Sequence, residues 1–306
     1  MDRLDILAIF VAVAEQNSFI AAARRLNRSP AAVTRAVAEL EERLGTRLFN
    51  RTTRAVALTD AGARYLDLGR RALADFEELE LSAASEKLEP RGLLNVTAPE
   101  MFGRLHLLPI VQAFMRDYPQ VNVSMLLLNR IVSYIDEGID LGIRIATLAD
   151  SSLQAIQVGH IRRVICASPA YLAAHGTPRT PQELTGHDAI AISGVRPVID
   201  RWTFGTEPGK ITEPGEITVP IKARLIVSTI QAALDAAIAN GGVIRVMSYQ
   251  AAPLEAEGKL QRILVGHEPP PLPLQVVHPA GRYLAPKVRL FIDRTVDTLR
   301  GKFDNR

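Results

Sequence analysis

Residues 17–45 read NSFIAAARRLNRSPAAVTRAVAELEERLG, and two short helical patterns lie back to back in them across a polar turn. Ser18 caps the first, its hydroxyl accepting from a free amide of the opening turn. Ala21, Ala22 and Leu26 form the buried face, with Arg24 and Arg25 pointing outward. Asn27 and Arg28 make the turn. Ser29 caps again, and Pro30 suits a first helical position, where its missing N–H costs nothing. This second helix runs to about Leu44 and stops at Gly45. Val33, Val37, Leu40 and Leu44 share one face; Ala31, Thr34, Arg35 and Ala38 share another. Such a pair is the sequence form of a helix-turn-helix, which lays its second helix in the DNA major groove. Small residues let that helix approach the groove floor, and Thr34 and Arg35 then reach bases or phosphates.

An ordinary amphipathic helix pair shares this pattern, so the next stretch decides. Residues 46–59, TRLFNRTTRAVALT, predict a short strand at Leu48 and Phe49, a basic turn over 51–54 and a return strand over 55–58. This β-wing carries Arg51, Thr53 and Arg54 at its tip, groups suited to phosphate or minor-groove contact. Between residues 20 and 58 the bases are Arg24, Arg25, Arg28, Arg35, Arg43, Arg47, Arg51 and Arg54. The acids, Glu39, Glu41 and Glu42, fall in the later turns of the second helix. Positive charge thus gathers where DNA would lie.

The rest of the chain sets bounds. A net charge of +3 over 306 residues excludes a generally basic nucleic-acid coat, and the hydrophobic fraction of 47% supports more than one domain. Cys166 is the single cysteine, so no disulfide forms within the chain, which suits a reducing cytoplasm. No apolar run is long enough for a membrane span. The opening MDRLDILAIFVAVAEQ has acids at Asp2, Asp5 and Glu15 and an amphipathic spacing at Leu4, Leu7, Ala8 and Val11, so it predicts a packed first helix, not a signal segment. From Asp60 a single helix is expected to run to residues 89–90, spanning roughly 40 Å. Tyr65, Gly69, Ala72, Phe76, Leu79 and Ala83 follow the a/d spacing of a coiled-coil seam, and the outer face turns acidic from Asp75 to Glu89. Such a helix is a spacer and dimer strut.

The first ninety residues closely resemble the DNA-binding part of the LysR-type transcriptional regulators, with residues 4–62 as the matching stretch. The likeness continues in RVICASPAYLAAHGTPRTPQELTGHD (163–188) and NGGVIRVMSYQAAPLEAEGKLQRIL (240–264), which are similar to effector-domain signatures of that family. One departure stands at the start of the recognition helix. Many members place Gln there, and this chain has Pro30 and Ala31. Base reading therefore falls to Thr34 and Arg35, with Arg28, Ser29, Arg51, Thr53 and Arg54 on phosphates. The resemblance implies a mixed α/β fold class: a winged helix-turn-helix over 1–59, a linker and dimerisation helix over 60–90, and a two-lobed periplasmic-binding-protein-like effector domain over 91–306. The first lobe would comprise about 91–162 and 267–306, the second about 163–266. It also implies a homodimer assembling into a homotetramer on a pseudo-palindromic duplex, bending it, with an effector in the cleft shifting the dimer spacing. RNA polymerase is carried as a further candidate partner.

The residues after 92 agree with α/β alternation. Strands are expected at 93–98, 121–128, 140–146, 161–169, 188–193, 201–204, 216–228, 242–247 and 272–279. Helices are expected at 103–119, 131–138, 169–176, 228–240 and from Pro286. Ligands of parallel sheets collect at strand carboxyl ends and helix N-termini. That rule selects Thr97, Pro99, Glu100, Met101 and Phe102 after the first strand, Asn129 after the second, and Arg144 at a third, with Trp202, Val227, Ser228 and Thr229 from the other lobe. Glu100 is unusual, because a carboxylate there repels an anionic ligand; a cationic or neutral effector, or none, is expected. No cofactor, metal or catalytic residue is predicted. The histidines lack metal-ligand spacing, and no nucleophile elbow or Gly-rich phosphate loop is present. Arg144 and Asp140, on one strand, read as a structural pair, and Cys166 as a small buried hydrophobe. The competing reading is a solute-binding or transport-type protein with the same two-lobed fold; it has no use for wing arginines.

Overall fold

The computed structural model describes residues 1–51, 56–84, 89–130, 132–134, 136–147, 153–193, 201–205, 216–280 and 284–304. The chain divides into two compact units, Met1–Gly92 and Leu93–Arg306. Among the described residues no helix is long and apolar enough to cross a membrane.

The first unit is built around α1 (Arg3–Gln16), which Asp2 caps by accepting from the Arg3 amide. Ile6 and every residue from Ile9 to Ala14 are buried, so this helix is apolar nearly all round, not one-faced as its spacing suggests. Its position explains why: α2 (Phe19–Arg25), α3 (Pro30–Leu44) and α4 (Asp60–Ala84) all pack on it. Ser18 caps α2 by accepting from the Ala21 amide, and Ser29 caps α3 by accepting from Ala32. Gly45 ends α3 in the left-handed conformation, φ 63°. Two faces are shifted from expectation. Ala22 and Ala23 carry the α2 contact, while Ala36 joins Val33, Val37 and Leu40 in the core and Leu44 stays outside.

After α3 come β1 (Phe49–Arg51) and β2 (Val56–Leu58), an antiparallel hairpin with Phe49 opposite Leu58. The wing tip, residues 52–55, lies outside the described residues, as do residues 85–88 of the expected linker helix; Glu89 and Pro90, where that helix was expected to end, are not helical. The opening turns of α4 are packed inside this unit. The Tyr65 ring meets Phe10 edge-on at 5.2 Å, and a Cβ on Gly69 would touch Leu7 at 2.9 Å. Tyr65 and Gly69 therefore serve α1, and among the described side chains of α4 the large apolar ones left outward are Leu68 and Phe76, with Ala72 between them.

The second unit has two five-stranded sheets. The first contains β3 (Gly92–Ala98), β4 (Val121–Leu127), β5 (Leu141–Ile145) and β6 (Leu153–Ile161). Between β3 and β4 run α5 (Glu100–Phe102), a π-helical stretch Gly103–Leu107 and α6 (Leu108–Asp117). The expected helix over 131–138 is not formed by its described residues. Ser133 accepts from the Asp136 amide and Gly138 sits at φ 56°, so a start and a stop signal lie five residues apart and leave one turn. The sequence reading places no strand over most of β6, since Leu153, Ile156, Val158 and Ile161 are separated by Gln, Ala, Gly and His and form no continuous apolar run.

The second sheet contains β7 (Arg163–Ala167), β8 (Asp188–Ile192), β11 (Lys222–Val227), β12 (Val243–Met247) and β13 (Gln261–Ile263). The expected strand over 161–169 breaks at Arg162, where the chain leaves one sheet for the other. Helix α7 (Pro169–His175) follows β7, and β9 (Arg201–Gly205) pairs antiparallel with β10 (Glu216–Pro220) as a separate hairpin. Helix α8 (Ile230–Ile238) leads to β12, and α9 (Ser248–Ala256) to β13. The chain then returns as β14 (Leu272–Pro279) and closes with α10 (Pro286–Phe303). Strand order is β4-β3-β5-β14-β6 in the first sheet and β11-β8-β12-β7-β13 in the second. β3 and β5 run parallel, as do β8, β11 and β12; β14 and β7 run against their neighbours. One hydrophobic cluster continues through both lobes, from Phe102 and Phe291 to Ile244 and Tyr249.

Candidate functional site

The start of α3 is an exposed platform. Ser29, Pro30, Ala31, Thr34 and Arg35 all face solvent. The Ser29 hydroxyl is committed to the Ala32 amide at 3.2 Å, and the Thr34 hydroxyl donates to the Pro30 carbonyl at 2.9 Å. Thr34 therefore presents its methyl and its remaining lone pairs. Arg35 makes no ion pair among the described residues. Its neighbours differ: Arg25 binds Glu15 at 2.7 Å and Arg28 binds Asp5 at 3.0 Å. Arg70 of α4 also reaches Glu15, at 3.2 Å, and the Arg25 and Arg70 guanidinium groups hold that carboxyl below its ordinary range. Arg51 ends β1 at the wing root; Thr53 and Arg54 lie outside the described residues.

Sequence reasoning placed Glu41 only among the acids in the later turns of α3 and missed what it does. Its Oε1 accepts from both the Leu48 and Phe49 amides, at 2.8 and 3.0 Å, tying the wing root to α3. Thr59 makes a second tie, donating to the Arg47 carbonyl and accepting from the Gly62 amide. Gly62 sits so tightly that a Cβ there would lie 2.0 Å from the Leu48 carbonyl oxygen.

In the second unit the structure separates the predicted effector residues. Glu100 and Asn129 come together, the Asn129 Oδ1 accepting from the Glu100 amide at 3.2 Å. Thr97 is fully buried and donates to the Leu126 carbonyl at 2.8 Å. Phe102 is also fully buried, against His106, Tyr249 and Phe303, and Met101 joins the same cluster. Pro99 is half-buried at the head of α5. Trp202 is 3% exposed and packs in the second lobe's own core, with the Arg245 guanidinium 5.5 Å from its ring centre. Burial, with the Arg163 charge beside it, pulls Arg245 down to about 10. Val227 and Ser228 end β11, and Thr229 caps α8 by accepting from Ala232. Arg144 stands 5.5 Å from the Tyr134 ring centre, opposite Gln275 of β14. Arg144 Nη2, Tyr134 Oη and Gln275 Oε1 are all buried with no well-formed hydrogen bond, and the Arg144 guanidinium lies close enough to the Tyr134 hydroxyl to act on it, a polar cluster no single residue announced. Asp140 accepts from the Asn95 amide at 2.8 Å, and Cys166 is buried, its thiol raised by burial and by Glu255 beside it.

Two family models match the chain: the LysR substrate binding domain over residues 87–300, and the bacterial regulatory helix-turn-helix protein, lysR family, over residues 4–63. The chain belongs to the LysR family of transcriptional regulators. An HTH-type transcriptional regulator of Xanthomonas campestris pv. campestris is 36% identical over 95% of this chain and 84% of its own length. The regulator PtxR of Pseudomonas aeruginosa is 32% identical over 95% of this chain and 91% of its own. The solved structure of CrgA, a LysR-type transcriptional regulator from Neisseria meningitidis, has a TM-score of 0.59 at 28% identity and covers 98% of this chain and 99% of that one. The full-length LysR-type regulator LysG of Corynebacterium glutamicum, at 16% identity and TM-score 0.63, shares the fold. This regulator thus joins a helix-turn-helix to a two-lobed effector-binding domain, and its relatives regulate transcription and do not transport solutes.

Proposed function

We propose that the regulator reads its operator with the leading face of α3, Thr34 and Arg35 on base edges and Pro30 and Ala31 allowing close approach. Arg28, Ser29, Arg51, Thr53 and Arg54 hold phosphates and set the register. The observation that carries this reading is the contrast among the arginines: Arg35 is exposed and without an ion pair among the described residues, while Arg25 and Arg28 are held by acids of α1. Arg28 exchanges Asp5 for a phosphate at little cost, since an exposed pair is worth about 0–1 kcal/mol. The test is capture of genomic fragments by the purified protein at several salt concentrations, followed by footprinting upstream of its own gene. A salt-sensitive preference for a two-fold site supports the reading; indifference among fragments defeats it.

The protein acts by binding, not catalysis, in the cytoplasm where the chromosome lies. Two α4 helices pair through Leu68, Ala72 and Phe76, placing two reading heads on a pseudo-palindromic duplex. A second association, through the outer strands β4 and β11, builds the homotetramer, and RNA polymerase is the partner that reads the outcome. The effector enters between the lobes near Glu100, Asn129, Arg144, Val227, Ser228 and Thr229. Glu100 favours a neutral or cationic molecule there, and Trp202, sunk in its own core, shapes the second lobe without touching it. Titration against amines, sugars and dicarboxylic acids tests this; a dicarboxylate held through Glu100 would overturn it.

A further inference from the structure

The exposed face of α3 is poor in polar groups. Pro30, Ala31, Thr34, Arg35 and Ala38 all face solvent, and the last four form one stripe at steps of three and four residues. At about 1.5 Å per residue the stripe is roughly 10 Å long, about three base-pair steps. Beyond it Glu39 and Glu42 are exposed acids, which phosphates repel, so the reading face ends there. Pro30 has no N–H, and Ala31 and Ala38 offer only methyl groups. The two hydroxyls are already engaged. Ser29 Oγ accepts from the Ala32 amide at 3.2 Å as the helix cap. Thr34 Oγ1 donates its proton to the Pro30 carbonyl at 2.9 Å, which leaves the γ-methyl as the group this exposed side chain presents.

The stripe thus carries a single side-chain donor, the Arg35 guanidinium, set among methyl groups. Each kind of group has its complement in the major groove. Guanine N7 and O6 accept from a guanidinium, and the thymine C5-methyl group packs against Ala or the Thr methyl. Gripping adenine by N6 and N7 takes an Asn or Gln side chain, and residues 28–40 contain neither. The Thr34 oxygen has given its proton away and can only accept, so it gains nothing from the two acceptors of a guanine edge. What remains to Thr34 at a base pair is its methyl, and an A·T pair meets it from the thymine side.

We infer that this regulator recognises its operator chiefly through thymine methyl groups, packed against Ala31, Thr34 and Ala38, around one guanine held by Arg35; the inference rests on the role of α3 proposed above. The probe is the captured operator duplex, made once with thymine and once with deoxyuridine, which lacks only the C5-methyl group. The full chain is titrated with both, and with a scrambled duplex in both forms, by fluorescence anisotropy. Each contacted methyl is worth about fourfold in affinity. Deoxyuridine is therefore expected to weaken operator binding by about tenfold or more and to leave the scrambled duplex unchanged. Thr34→Ser keeps the hydroxyl and removes the methyl, and it narrows the preference for thymine over deoxyuridine by about fourfold. Thr34→Val keeps the methyl and preserves that preference in full. Equal affinity for the two operators would overturn the inference. So would a Thr34→Ser protein with the parent's preference, since the methyl effect would then lie in DNA shape, or a Thr34→Val protein whose preference falls to that of Thr34→Ser. Each of these leaves α3 as the reading helix, whereas a protein indifferent among genomic fragments removes that role and this inference with it.

Discussion

Two side chains show how a local environment sets what a residue can do. Arg35 is exposed on α3 without an ion pair among the described residues, so its guanidinium is available to a base edge. Arg35→Ala is expected to cost about 1–3 kcal/mol at the cognate operator and much less on scrambled DNA, whereas Arg51→Ala weakens both alike and flattens the salt dependence. Fluorescence anisotropy on both duplexes separates the cases; equal losses for Arg35→Ala would remove it from base readout. His106 is governed by burial. Desolvation, helped by the Lys302 charge, pulls its imidazole down from 6.5 to about 4. Between those values the unfolded chain binds the proton and the folded chain does not, so stability is full above about pH 6.5 and falls as the pH drops toward 4. For a partly screened ring this amounts to about 1–2 kcal/mol. His106→Phe should flatten the melting temperature between about pH 7 and pH 5. Parallel curves for variant and parent would assign the acid sensitivity elsewhere.

The wing is held by contacts between elements, and they explain which features a linear reading recovers. Caps and stops are local, so Ser18, Ser29, Pro30 and Gly45 were legible and fall where the code of helix ends puts them. β12, β14 and the start of α10 were legible too, because apolar runs and a leading proline announce them. The roles of Glu41 and Gly62 are tertiary: one reaches across to amides seven and eight residues on, the other makes room for the Leu48 carbonyl. The same holds at the effector domain, where Thr97, Met101 and Phe102 obey the strand-end rule in sequence but turn into the core in space. Gly62→Ala is expected to push α4 off the wing root and lower the melting temperature of the DNA-binding unit by several degrees, since backbone and not a flexible side chain must yield. Glu41→Ala leaves two amides without their acceptor and costs about 1–3 kcal/mol; Glu41→Gln keeps the acceptor oxygen and costs less. Chemical denaturation followed by circular dichroism measures both, and a Gly62→Ala protein as stable as its parent would mean the contact is slack.

At the scale of the molecule, association decides whether one short cationic helix suffices to find an operator. A single head makes few base contacts, and two-fold pairing doubles them. The effector domain offers the second surface. The outer strands are β4 and β6 in the first sheet and β11 and β13 in the second, and β11 leaves Leu225 and Ile226 40% and 48% exposed. Leu108 and Met115 are similarly uncovered on α6, 37% and 39% exposed. Outer strands are normally blunted by charge or cover, so apolar groups on one mark it for pairing. Lys222 and Arg224 on the same strand are drawn back to Asp188, at 3.1 and 2.8 Å, which takes their charges away from that edge. Ile226→Lys puts a charge into this surface without touching α3, the wing or the apolar side chains of α4. The expected result is that the proposed tetramer gives way to a dimer in sedimentation equilibrium, with each half-site still recognised and the protected DNA segment shortened to a single two-fold site. A parent that is already dimeric, or a variant with the parent's mass and footprint, would show that β11 takes no part in assembly.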